Sequence, residues 1–280
     1  MTMKDNRFIN MLHTARKEGY AVGAFNIFND LTLRGVITAA NEAGRPIIIQ
    51  TSAGTVKRLG AEALGGMVNA ARSLCTQEIA LHLDHCKDDT IAKACVDHGW
   101  DAIMCDYSTL PLEENIARTQ AMIAYAHAKG VAVEGEVGAI FGVEEDVVAE
   151  KEHPATYEDT MHYVHATGID AIAPAIGTAH GMYKGSPKIN WELIERLGKE
   201  ATPLVVHGGT GLSDETFRRM VELGAAKINI STAIKYAYRD AIVAAIPNHP
   251  VDSPMELDKK VEAEVHATVL RLIKLFAGIE

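Results

Sequence analysis

The chain has 280 residues, 48% of them hydrophobic and 23% charged, enough apolar material to bury a large core and too much for a disordered polymer. A formal net charge of -10 excludes nucleic-acid binding through a general basic surface. No apolar run approaches the ~20 residues that span a bilayer, and residues 1–10 are too polar for a secretory leader, so the expectation is a cytoplasmic protein with neither a membrane nor a nucleic-acid partner.

Short apolar runs alternate with longer amphipathic segments along the whole chain, the pattern of βα units around a parallel sheet. Strands are read at Ala21–Asn26, Pro46–Thr51, Ile79–Asp84, Ala102–Asp106, Ala132–Gly138, Ala171–Ile176, Leu204–His207 and Lys227–Ile230. Eight such runs make a single-domain (β/α)8 TIM barrel over residues 1–280, with additional helices at both ends; a doubly wound open sheet is the alternative. Pro111 opens a helix over Leu112 to Lys129 that Gly130 stops. Residues from Ala139 to Ala155 lack periodicity, carry several acidic groups and follow the fifth strand, which reads either as a lid or as a solvated acidic loop. Ser213 caps a helix starting at Asp214, with Leu212 and Phe217 as its hydrophobic staple and Gly224 as its stop. In the last helix Val261, Val265, Val269, Leu272 and Phe276 form one apolar stripe, and Leu270 with Ile273 a second that is read as facing another subunit.

His85, His180 and His207 each fall where an apolar strand gives way to a polar or glycine-containing loop. Three imidazoles converging at one barrel mouth make an open Zn²⁺ site with a position left for substrate. His82 competes with His85. Strand alternation puts His82 and Asp84 on one face and His85 on the other, so the strand must end or bend near Asp84. Asp84 reads either as a group that orients a metal-bound imidazole or as one that exchanges protons with substrate, and Glu136, which shares a face with Glu134, as a carboxylate that supports a metal ligand or assists at the metal itself. Two inward carboxylates are costly without a cation, and one metal would account for both. Gly177 to Gly181, Gly208 to Gly211 and Asn229 to Thr232 bring backbone N–H groups and a helix N-terminus to the ends of late strands, where barrels hold phosphate. No strand ends in lysine, and Lys227 starts the eighth at the wrong end for Schiff-base chemistry. Cys75, Cys86, Cys95 and Cys105 form no CxxC pair and read as reduced thiols, Cys86 as a small buried hydrophobe.

The ordered segments AFN (Ala24 to Asn26), QTS (Gln50 to Ser52), HLDH, LEENI, EGEVG, EED, GTAHGMYKG, HGGTGLS and KINIST resemble the class II, zinc-dependent ketose-bisphosphate aldolases. The resemblance implies reversible cleavage of a fructose- or tagatose-type 1,6-bisphosphate to dihydroxyacetone phosphate and glyceraldehyde 3-phosphate, with zinc stabilising the enediolate. It implies His85, His180 and His207 as zinc ligands with Glu136 close by, Asp84 as the group acting on the C4 hydroxyl, and Glu145 as the loop acid/base at C3. It further implies phosphate or substrate contacts from Gly181, Lys184, Gly209, Thr210, Asn229 and Thr232, polar groups Asn26 and Ser52 at the other end of the substrate, a monovalent cation (Na⁺ or K⁺) near the phosphate, and a homodimer or homotetramer. The lid sequence, Cys105 to Ser108, and Ser231, acidic in some relatives, depart from the family pattern and leave open another phosphorylated ketose or keto acid. A zinc-dependent hydrolase and a non-catalytic partner subunit on the same barrel are the other readings.

Overall fold

The computed structural model describes residues 3–140, 153–179, 181, 187–246 and 253–280, and the backbone of 142–144 and 147–149. Eight strands, β1 (Val22–Asn26), β2 (Ile47–Ser52), β3 (Ile79–Cys86), β4 (Ala102–Cys105), β5 (Ala132–Val137), β6 (Ala171–Pro174), β7 (Leu204–Val206) and β8 (Ala225–Ile230), pair in parallel, each with the next. Pairing of Val22 with Lys227 and of Ala24 with Asn229 closes β8 onto β1. The closed circuit rules out the open sheet. Observed strands lie within two residues of the expected ones at each end, and β8 starts two residues earlier, at Ala225, which moves Lys227 from its edge into its middle.

Eleven helices accompany the barrel among the described residues: α1 (Arg7–Glu18), α2 (Asp30–Ala43), α3 (Ala53–Leu59), α4 (Ala61–Ala71), α5 (Asp89–Asp97), α6 (Leu112–His127), α7 (Tyr157–Thr167), α8 (Trp191–Gly198), α9 (Asp214–Glu222), α10 (Thr232–Ala245) and α11 (Pro254–Ala277). Ser213 caps α9 by accepting from the Thr216 N–H at 3.2 Å, as its sequence signature predicts. None of the described helices is long and apolar enough to cross a membrane. The stripe Val261, Val265, Val269, Leu272 and Phe276 of α11 is buried, and α11 lies so close to α2 that a Cβ on Gly35 would sit 2.7 Å from Val265 Cγ1. Of the second stripe, Ile273 is buried within the chain, while Leu270 packs against the same core and stays partly exposed. Residues Gly142–Glu144 and Val147–Ala149 form an antiparallel pair, and Ala139 and His153 exchange backbone hydrogen bonds at its base, so the aperiodic segment contains a hairpin.

The barrel interior explains why α1 precedes the first strand. Ala24, Ala80, Ala102, Ala132, Ala171, Ala173 and Ala226 line it with small side chains and leave space that Phe8, Met11 and Leu12 of α1 fill from below. Burying a Phe ring in this way stabilises by roughly 1.5–3 kcal/mol. Asn6 fixes the plug: its Oδ1 accepts from the Ile9 N–H, capping α1, while its Nδ2 donates to the carbonyls of Asp101 and Gly130 at 2.7 and 3.0 Å. The plug closes the floor, so the interior is accessible only from the C-terminal ends of the strands.

Candidate active site

At that open end β3 resolves the competition between His82 and His85. His85 adopts φ +36°, the sole non-glycine with positive φ among the described residues, and the register of β3 against β4 slips between Leu83 and Cys86. The bulge breaks strand alternation and turns the His85 ring inward beside Asp84, at a backbone cost of about 1–3 kcal/mol. His82 lies one layer below, stacked on Phe8 with ring centroids 5.2 Å apart and its Nε2 3.4 Å from Glu134 Oε2. Burial, and then the charge of Lys227, pushes the His82 pKa down and keeps this ring neutral.

His85 is buried and held at both nitrogens. Its Nδ1 lies 3.1 Å from Asp106 Oδ2 and 3.7 Å from Glu136 Oε2, and its Nε2 lies 2.7 Å from His207 Nδ1. Asp106 is in turn fixed by the Ser108 hydroxyl, which donates to Oδ1 at 2.6 Å. Burial opposes the His85 imidazolium, but the Asp84 carboxylate, the Asp106 hydrogen bond and the Glu136 charge outweigh it and raise the pKa well above the usual value. Burial and the Asp106 charge push Glu136 up to about 8. Asp106 was not singled out in the sequence; its one signal is a carboxylate just beyond an apolar strand, two residues before a serine.

His207, at the end of β7, is oriented from below. Its Nε2 lies 2.8 Å from Glu134 Oε1, and Glu134 Oε2 accepts from Lys227 Nζ at 2.8 Å. Burial resists the Glu134 charge, but Lys227, His82 and His207 hold its pKa well below the carboxylate range. Burial and then the neighbouring His85 depress His207 to about 4, leaving a neutral imidazole. Two expectations are corrected here. The cation answering Glu134 is Lys227, so a metal need not account for both inward glutamates. A desolvated amine does lie inside the barrel, because β8 starts earlier and alternation turns Lys227 inward beneath Asn229; the pairing with Glu134 occupies it.

Asp84 is fixed through both oxygens. Asn26 Nδ2 donates to Oδ2 at 2.8 Å and Asn229 Nδ2 to Oδ1 at 3.1 Å, while Gln50 Nε2 donates to Asn26 Oδ1 at 2.6 Å. Asn26 is thus committed to aiming Asp84. Ser52, paired in register with Asp84, accepts from the Thr55 N–H and caps α3. Ligand atoms of Asp84, His85 and His207 all lie within 4.8 Å of one another, as do those of His85, Asp106 and Glu136.

Beside this cluster a recess is lined by Gly181, Gly208, Gly209, Thr210, Asn229, Ser231 and Thr232. Gly208 has φ +69°, and a Cβ there would lie 2.6 Å from the Ala179 carbonyl oxygen, so only glycine closes the turn. The N-terminus of α10 opens onto the recess, and the Ala233 N–H donates to Thr210 Oγ1 at 3.3 Å. Buried Ser231 Oγ, Asn229 Oδ1 and Glu136 Oε2 have no hydrogen-bond partner among the described residues, which suits a site completed by a polar ligand. Cys86 lies nearby, but burial pushes its thiol up to about 11, matching the inert reading. Glu145, His180 and Lys184 lie outside the described residues.

The residues present suit a divalent cation. Each ring spends its outer nitrogen on a carboxylate, Asp106 for His85 and Glu134 for His207, so the inner nitrogens face each other 2.7 Å apart at the barrel mouth. The His85 proton bridges the two nitrogens without a metal, and a divalent ion would take its place between them.

A family profile described as fructose-bisphosphate aldolase class-II matches residues 6–279. The fructose-bisphosphate aldolase of Geobacillus stearothermophilus is 36% identical over 276 residues, covering 96% of this chain and 95% of that one. The sulfofructosephosphate aldolase of Alkalicoccus urumqiensis is 35% identical over 243 residues, covering 86% and 85%. The crystal structure of the YdjI aldolase from Escherichia coli K12 superimposes with a TM-score of 0.85 at 31% identity, covering 96% of each chain. With a profile match over nearly its entire length, the chain belongs to the class II fructose-bisphosphate aldolase family.

Proposed function

We propose that this protein is a zinc-dependent aldolase that reversibly cleaves a fructose- or tagatose-type ketose 1,6-bisphosphate to dihydroxyacetone phosphate and glyceraldehyde 3-phosphate. The observation carrying this reading is the meeting of His85 Nε2 and His207 Nδ1, 2.7 Å apart at the closed-bottomed barrel's mouth, with Asp84 beside them. These two rings would hold the ion with His180 as third ligand and Glu136 near it. When bound, the ion supplies Lewis-acid polarisation of the ketose carbonyl.

Asp84, aimed by Asn26 and Asn229, takes the C4-hydroxyl proton as the C3–C4 bond breaks and returns it in condensation. The backbone of Gly208 and Gly209, the hydroxyls of Thr210 and Thr232 and the N-terminus of α10 bind the phosphate of the dihydroxyacetone half. Roles for Gly181 and Lys184 at that phosphate, for Glu145 as the acid/base at C3, for Ser52 at the far end of the substrate and for a Na⁺ or K⁺ ion rest on the family resemblance. Exposed Tyr236, Val243, Ile246 and Met255 support assembly as a homodimer or homotetramer, and the free thiols of the four cysteines support a cytoplasmic setting. The family assignment leaves the hydrolase and the non-catalytic subunit without support.

A coupled assay tests this reading with fructose 1,6-bisphosphate and tagatose 1,6-bisphosphate, using a sulfonated ketose phosphate as the comparison substrate suggested by the Alkalicoccus relative. The expected result is cleavage of at least one bisphosphate, abolished by a chelator and restored by Zn²⁺. Product from neither bisphosphate removes the substrate assignment, and chelator-resistant turnover removes the metal.

A further inference from the structure

We propose that the buried Lys227–Glu134 pair is a positioning device that sets the tautomer and aim of His207, turning its Nδ1 toward His85. Both partners are completely buried and come from strands on different sides of the barrel, β8 and β5. An ionised carboxylate only accepts hydrogen bonds, so the 2.8 Å contact of Glu134 Oε1 with His207 Nε2 requires the hydrogen on Nε2. Lys227 has only donors, and its 2.8 Å contact with Oε2 keeps Glu134 in the accepting form and fixes its rotation. The Asn229 amide nitrogen lies 3.2 and 3.3 Å from Nδ1 and Nε2, so it touches the ring without choosing between the tautomers and leaves that choice to Glu134.

The layer beneath prevents the carboxylate from swinging away. Phe8 stacks on His82, the Lys227 ammonium lies 5.9 Å from the same Phe8 ring, and His82 Nε2 is 3.4 Å from Glu134 Oε2. The α1 plug, the ion pair and the imidazole are therefore stacked in sequence from the barrel floor to its mouth. A pair serving only as a core element would need no aim at His207, and buried ion pairs are weak stabilisers compared with apolar residues of the same volume. Orientation of an imidazole by a carboxylate is typically worth about 10–100-fold in metal affinity.

The affinity arm rests on the metal reading above; the tautomer arm does not. In full-length metal-free protein labelled with ¹⁵N-histidine, the long-range ¹H–¹⁵N spectrum, with His207 assigned from a His207→Ala sample, is expected to show hydrogen on Nε2. The double variant Lys227→Met/Glu134→Gln removes both charges together and is expected to stay folded with a Tm near that of the wild type, to show mixed His207 tautomers, and to bind Zn²⁺ about 10–100-fold more weakly in chelator competition. Hydrogen on Nδ1 in the wild type overturns the proposal, as does a folded double variant with wild-type Zn²⁺ affinity. If the double variant does not fold, the wild-type tautomer decides alone. Failure of the wild type to bind Zn²⁺ refutes the metal reading instead and leaves the tautomer measurement to judge the pair.

Discussion

His207→Ala is expected to abolish stoichiometric metal binding and to lower kcat by about three orders of magnitude or more. The ring contributes the Nδ1 lone pair that faces His85 Nε2 at 2.7 Å, and nothing else at the end of β7 can replace it. A single preorganised electrostatic contact to developing charge is worth about 10²–10³ in kcat, and a missing ligand removes both the ion and the alignment it imposes. The fold should survive, because Glu134 keeps its Lys227 partner when its histidine donor is gone. Metal content by elemental analysis, taken with kcat and a melting curve, checks this. Full metal occupancy with near-normal turnover would remove His207 from the ligand set.

Asp84→Ala is expected to separate the chemistry from the metal: bound metal is retained while cleavage falls by about 10²–10⁴-fold, the usual worth of a positioned general base. Asp84 is held on both oxygens by Asn26 and Asn229, with Gln50 behind Asn26, an arrangement suited to a carboxylate that must meet one hydroxyl in one orientation. The truncation leaves those amides beside a small cavity that water can reach from the barrel mouth, so the loss should appear mainly in kcat. Measured kcat, KM and metal content distinguish the outcomes. Ordinary turnover would exclude the proton role, whereas coupled loss of metal would make Asp84 a ligand.

The barrel was legible because its strands are nearly continuous apolar runs and its helices carry caps such as Ser213, features that act locally. The meeting of His85 with His207 was legible as three strand-terminal imidazoles, and alternation even demanded the bend that the φ of +36° supplies. Other features depended on contacts between distant segments. Glu134 and Lys227 are 93 residues apart, and their pairing needs barrel closure together with a strand start that the short apolar run after Gly224 did not fix. The α1 plug looked like any amphipathic helix, because the alanines that make room for Phe8 come from six different strands. The second stripe of α11 was only partly legible because exposure along a helix depends on what packs there: Ile273 is covered within this chain, and Leu270 is covered in part. Asp106 was hidden because its role arises only where the β3 bulge brings His85 against the end of β4.

The position of the bound metal decides the central claim most directly. Anomalous diffraction at the zinc edge from crystals of Zn²⁺-loaded protein should give a peak bonded to His85 Nε2 and His207 Nδ1 at about 2.0–2.1 Å. A peak only on the Asp106 and Glu136 side of His85, or none at the barrel mouth, would contradict it.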